Sequence, residues 1–196
     1  RPYQEEDLRA TLSHMANCCA AWLVLDGYCF DTEYQKAVRD AGYRLLVIDD
    51  FSNVPHYYAD VLLNQNFGAH TLVYSTEVDT ARLLGTQYVL LRQEFSRWRC
   101  RSRPAPEVAR RVLVTLGGSD PGNYTLRVLR ALRRLNQPDL EVKVAIGTLN
   151  PHENRLEESI RDWEPPAVTL MRDVADISEL MAWADLAVCS GGTTCL

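Results

Sequence analysis

The sequence has no apolar run long enough to cross a bilayer. Its longest, Cys18 to Leu25, covers eight residues, against the roughly twenty a membrane-spanning helix needs. Basic charge is not in excess either. Lys plus Arg number 21 and Asp plus Glu 26, a net charge of −5. A chain-wide cationic field for nucleic acid is therefore excluded. The 6 cysteines, at 18, 19, 29, 100, 189 and 195, form no Cys-x-x-Cys pair, so the usual zinc and dithiol ligand sets are missing. There is no Gly-x-Gly-x-x-Gly and no Walker loop, which leaves NAD and ATP weakly supported. The 4 histidines, His14, His56, His70 and His152, are scattered, with no metal-ligand spacing and no Ser-His-Asp order. Repeats and low-complexity tracts are absent. The 46% apolar and 24% charged content excludes a disordered or fibrous chain.

What remains is an alternation of short apolar runs and amphipathic stretches. Residues 4–19 set Leu8, Leu12, Met15 and Cys19 on one helical face. Ala21–Leu25 reads as a strand ending at Asp26, and Thr32-Glu33-Tyr34-Gln35 as a capping box. It opens a helix with Tyr34, Ala37, Val38 and Ala41 inward. Arg44–Ile48 and Val61–Leu63 are further strands. In the second half, strands are expected at 111–116, 140–146, 168–170 and 186–189. Helices carrying Leu126, Leu129, Leu132 and Leu135, then 152–163, then Ile177 to Ala184, lie between them. Alternation of this kind predicts an α/β protein with parallel, doubly wound sheets.

The stretch 96–110 interrupts it, with Arg97, Arg99, Arg101, Arg103 and Arg110 around Pro104-Ala105-Pro106. It reads as a basic linker between a first domain over 1–95 and a second over 111–196. Several cysteines lie in apolar runs, as in Ala187-Val188-Cys189. They are expected to be buried thiols of a reduced, cytoplasmic protein.

In such sheets ligands sit beyond the carboxyl ends of the strands. Two glycine-rich turns fall there: Gly117-Gly118-Ser119-Asp120 and Ser190-Gly191-Gly192-Thr193-Thr194. The first lets a ligand approach the backbone, and the helix start behind it is expected to offer free N–H groups to an anion. The second combines backbone N–H groups with three hydroxyls, a suitable diphosphate cradle. Each is also compatible with an ordinary strand-to-helix turn. Asp26-Gly27-Tyr28 and Asp49-Asp50 end strands in the first half. The first reads either as a turn with a packed tyrosine or as a phenol and a carboxylate in an interdomain cleft, the second either as a helix cap or turn or as paired carboxylates for metal binding or acid–base work. His56 follows Pro55 in a loop; His14 and His152 read as surface groups in helical stretches.

These residues fall in a recognisable order. Leu25-Asp26-Gly27-Tyr28, Ile48-Asp49-Asp50-Phe51, Pro55-His56 and Ala59 to Asn66 are followed by Tyr88 to Phe95, Val114 to Pro121 and Asp176 to Cys195. Together they resemble the bacterial UDP-sugar hydrolases of pseudaminic acid biosynthesis, which act on UDP-2,4-diacetamido-2,4,6-trideoxy-β-L-altropyranose. That family is similar to the lipid II N-acetylglucosaminyltransferase. The resemblance implies two Rossmann-like domains of glycosyltransferase-B type and a cytoplasmic pathway leading to flagellin glycosylation. Water would attack the anomeric carbon, releasing UDP and the free sugar with inversion, and no cofactor or metal is implied. It places Tyr28 beside the reacting sugar and Gly117, Gly118 and Ser119 against the diphosphate. The backbone of Met171, after a strand ending at Leu170, would meet the uracil. Ser190, Gly191, Gly192, Thr193 and Thr194 would meet the phosphate side. His56 matches too, with no role beyond ordering a loop.

The family's catalytic base is a histidine in a Gly-x-Gly-His loop, which this sequence lacks. The expectation is therefore a fragment of the enzyme, incomplete at both ends and inactive alone. It would bind a UDP-sugar, neither nucleic acid nor membrane, and could be fused to or associated with other pathway enzymes. The alternatives are a glycosyltransferase of the same fold and a non-catalytic UDP-sugar-binding module or half of a split enzyme.

Overall fold

The computed structural model describes residues 5–98, 101–163 and 167–192. The chain divides into two compact units, with the boundary between Leu90 and Leu91.

The first unit begins with α1 (Glu5–Asn17), β1 (Trp22–Asp26), α2 (Thr32–Asp40) and β2 (Arg44–Ile48). It continues through β3 (Val61–Asn64) and β4 (Ala81–Leu84). The four strands form one parallel sheet in the order β1-β2-β3-β4, with Leu23 opposite Leu45 and Leu62 opposite Arg82. Tyr34 and Val38 of α2 pack on Leu25, Leu45, Val47 and Leu62, joined by Leu8 and Leu12 of α1. Sequence reading missed β4. Ala81-Arg82-Leu83-Leu84 carries no β-branched residue, and as an edge strand it needs little apolar patterning.

The expected capping box is displaced by one residue. The Asp31 carboxylate accepts from the Tyr34 N–H at 2.9 Å. Thr32 instead donates its hydroxyl to the His56 carbonyl at 2.9 Å. Gln35 is buried, donating to the Phe30 carbonyl and accepting from the Tyr58 N–H. Both side chains hold loops rather than the helix end.

The second unit contains β5 (Arg111–Thr115), α3 (Tyr124–Arg134), β6 (Glu141–Ile146) and α4 (Glu153–Ile160). It ends with β7 (Ala167–Arg172), α5 (Ile177–Trp183) and β8 (Leu186–Cys189). Its parallel sheet has the order β7-β6-β5-β8. Val112, Val114, Val142 and Val144 face Leu126, Leu129 and Leu156 of α3 and α4. Leu113 and Ala145 face Leu180 and Ala184 on the other side. Cover on both faces is why these strands read as continuous apolar runs.

Arg97 pairs with Asp176 and Glu179, and the Trp98 indole N–H donates to Ser178 at 2.9 Å, so this part of the arginine-rich stretch lies on α5. Arg103 and Arg111 both pair with Asp185, which also accepts the backbone N–H groups of Arg110 and Arg111. Hydrogen bonds from Arg111 hold the Asp185 carboxyl well below the usual carboxylate range.

The cysteine expectation needs correction. Cys18, Cys19 and Cys29 are exposed and Cys189 is half-buried; Cys100 and Cys195 lie outside the described residues. Cys18 and Cys19 fall in the turn after α1, where Cys19 has a positive φ of 53°, so that face of the helix ends at Met15. Ala41 is likewise exposed, because it caps α2 rather than extending it.

Candidate functional site

The strand order of the second unit reverses direction between β5 and β8, the position where open α/β sheets bind ligands. The two glycine-rich turns follow those two strands. Gly117, Gly118 and Ser119 are exposed. Gly117 has a φ of +88°, and a Cβ on either glycine would meet nothing within 4 Å. The neighbouring loop after β6 lies directly against them. A Cβ on Gly147 would stand 2.6 Å from the Gly118 carbonyl oxygen and 2.7 Å from its Cα. His152, just before α4, adds a ring N–H donated to the Pro121 carbonyl at 3.1 Å, so it is a loop tie rather than a free surface group.

The helix start behind Gly117–Ser119 does not offer its N–H groups to a ligand as expected. The buried Asp120 carboxylate accepts from Tyr124 and Thr125 N–H, each at 2.9 Å. Asn123 accepts from Leu126 N–H at 3.4 Å and donates its own N–H to the Asp120 carbonyl. Sequence reading missed this role of Asp120, although Asp before a helix is a recognisable capping signal. An anion here would meet the glycine loop, not the mouth of α3.

In the second turn the Gly192 N–H bonds back to the Ser190 carbonyl at 2.8 Å, and Gly191 and Gly192 border open space. Thr193 and Thr194 lie outside the described residues. Met171 lies inside β7, opposite Ala145, rather than after the strand. Its side chain joins the core beside Leu113 and Leu180. Because β7 is the last strand of the sheet, one edge of its backbone has no strand partner among the described residues.

In the first unit, Asp26, Asp49-Asp50 and Asn64 end β1, β2 and β3 or follow them directly. Asp49 is buried. It accepts hydrogen bonds from the Tyr57 hydroxyl at 2.6 Å, the Tyr74 hydroxyl at 2.8 Å and the Ser52 N–H at 2.8 Å. Asn64 donates to Tyr74 at 2.8 Å and accepts from the Asn66 N–H at 2.9 Å. This network turns Asp49 inward and leaves Asp50 and Phe51 on the rim. There the Tyr28 hydroxyl donates to Asp50, and the Asn66 amide donates to its other oxygen. Of the two readings of Asp49-Asp50, the turn belongs to Asp49, while Asp50 stands apart from it as a rim carboxylate. His56 bridges Ser75 and Glu77 with its two ring nitrogens, each at 2.8 Å, which accounts for its ordering of the loop.

Burial, reinforced by the Asp49 hydrogen bonds, raises both Tyr57 and Tyr74 far above the ordinary phenol range. A group whose folded value is raised stabilises the fold fully below the unfolded value and loses that contribution as pH rises towards the folded one. The thermal midpoint of the first unit is expected to hold up to about pH 10 and fall above it. Tyr57→Phe should make that fall shallower. Circular-dichroism melts between neutral pH and pH 11.5 check both; an equal fall in the variant contradicts the assignment.

No protein-family model matches the sequence. Over 189 residues the chain is 24% identical to the uncharacterized protein MJ1062 of Methanocaldococcus jannaschii, covering 93% of this chain and 39% of that protein. Over 161 residues it is 24% identical to the spore coat polysaccharide biosynthesis protein SpsG of Bacillus subtilis, covering 81% and 46%. Among solved structures it resembles MurG of Acinetobacter baumannii, with a TM-score of 0.52 at 13% identity over 93% of this chain and 50% of that one. The chain spans less than half the length of these curated relatives. The likeness to MurG is one of fold, and it agrees with two Rossmann-like parallel sheets. No helix among the described residues is long and apolar enough to cross a membrane.

Proposed function

We propose that the chain is the nucleotide-sugar-handling part of an enzyme that cleaves the anomeric C–O bond of a UDP-linked 2,4-diacetamido-2,4,6-trideoxy hexose. Water is the acceptor, UDP the leaving group and the free sugar the product, as in pseudaminic acid synthesis. The observation that carries the reading is the pair of exposed glycine-rich loops following β5 and β8, the strands that flank the reversal of strand order. Backbone groups of Gly117, Gly118 and Ser119 and the turn from Ser190 to Thr194 would hold the diphosphate. The open edge of β7 beside Met171 would meet the base. Similarity to a polysaccharide biosynthesis protein and to the MurG fold supports a nucleotide sugar over other nucleotides.

Holding the diphosphate charge stabilises the leaving group, since fixed dipoles already in place act on charge as it develops. Tyr28 belongs to the sugar side. The second reading is a transferase, in which a hydroxyl replaces water.

Calorimetry with UDP, UMP and inorganic phosphate tests the binding step. UDP is expected to bind most tightly, and equal, millimolar affinity for all three overturns the nucleotide reading. UDP release from the sugar nucleotide, assayed on the whole enzyme without acceptor, separates the reactions. Release in water alone supports hydrolysis; dependence on an added acceptor supports transfer.

A further inference from the structure

The rim of the first unit carries more order than a turn requires. Tyr28 and Phe51 are 61% and 69% exposed, yet their rings lie 5.7 Å apart, tilted by 33°. The Tyr28 phenol is not left to solvent: its hydroxyl donates to Asp50. Asp50 is itself held from the far side by the Asn66 amide. Asn66 is fixed in turn through Asn64, Tyr74 and Asp49 to the buried core. A chain of hydrogen bonds therefore runs from a buried carboxylate out to one exposed phenol.

We propose that Asp50 is a positioning residue. It commits the Tyr28 proton to itself and thereby presents the phenol oxygen as an acceptor for a hydroxyl or water. This deepens the nucleotide-sugar reading and rests on it for the identity of the donor. A phenol whose proton is already given away has only lone pairs to offer, so it suits an O–H group and repels an anion. Asp26, Asp49 and Asp50 all lie close enough to act on Tyr28 electrostatically, and each favours its neutral form. The Asp50 carboxylate beside the phenol also disfavours phosphate there. The group that this rim suits is therefore uncharged and hydroxyl-bearing, a sugar hydroxyl or a water.

Nitration by tetranitromethane at pH 8 reads the proposal directly, because the reagent attacks the phenolate. Tyr124, exposed and in the other unit, is the internal standard, and peptide mass mapping gives the Tyr28-to-Tyr124 ratio. Asp50→Asn should raise that ratio several-fold, because the amide keeps the shape but removes the charge that disfavours the phenolate. Asp50→Glu should restore it, and Asn66→Ala, which frees the carboxylate to move, should raise it in part. An unchanged ratio in Asp50→Asn with the melting temperature intact overturns the proposal. Should that variant unfold, an unchanged ratio in Asn66→Ala does so instead. The assay contains no nucleotide. Loss of the UDP reading would leave the ratio unaffected, and failure here would leave UDP binding unaffected.

Discussion

Replacing Asp49 by Ala should cost the first unit about 3–5 kcal/mol of stability. Three donors converge on this carboxylate, from Tyr57, Tyr74 and Ser52. Tyr57 is 1% exposed, so its hydroxyl has no access to replacement water. Removing the acceptor strands the buried Tyr74 hydroxyl and leaves Tyr57 only the longer bond to Asn53 at 3.3 Å, and a stranded buried donor costs more than the hydrogen bond contributed. The Tyr57 and Tyr74 rings stand edge-on at 5.5 Å, so relaxation around the hole would have to disturb that packing too. For a unit of this size, the loss corresponds to a fall of roughly 15 °C or more in melting temperature. Asp49→Asn, which keeps one acceptor oxygen, should lose less. Urea unfolding followed by near-ultraviolet circular dichroism checks the order. A change under about 1 kcal/mol, within the ordinary range for single substitutions, would mean the network is not what anchors the β2 end.

The second large effect is on binding, with stability unchanged. Gly118→Val should weaken UDP affinity at least about tenfold, or 1.4 kcal/mol, while shifting stability by no more than about 0.5 kcal/mol. Gly118 borders open space and its backbone needs no glycine-only angle. A side chain there meets no protein atom within 4 Å, so under the proposed reading it would intrude on the ligand. Gly147 is the informative contrast, because its Cβ would strike the Gly118 backbone at 2.6 Å. Gly147→Ala should therefore damage folding and binding together. Unchanged UDP affinity in a folded Gly118→Val chain would remove the loop from the diphosphate site.

Much of this fold was legible because parallel α/β sheets write themselves in period and length. The buried strands of the second sheet carry patterns that packing then uses unchanged. Where reading failed, a tertiary partner had claimed the signal. Thr32 looked like a cap and holds His56 instead. Cys19 matched a helical face, but the helix stops before it. Asp120 looked like part of an open anion loop and instead closes the mouth of α3. At Met171 the strand runs two residues further than its apolar core suggested, because pairing with β6 extends to Arg172.

The same division holds for the site. The sequence by itself determined the alternation of elements, the two glycine-rich turns at strand ends and the order of motifs around Tyr28, all local properties of adjacent residues. Which strands the turns follow in space, and that these flank the reversal β7-β6-β5-β8, was decided only by sheet assembly. So was the separation of Asp49 from Asp50, one buried by two tyrosines and the other turned to the rim. Adjacent carboxylates are equivalent in a sequence. They become different when a fold brings donors from residues 8 and 25 positions away to one of them, because burial penalises an unpaired charge and leaves only the satisfied carboxylate inside.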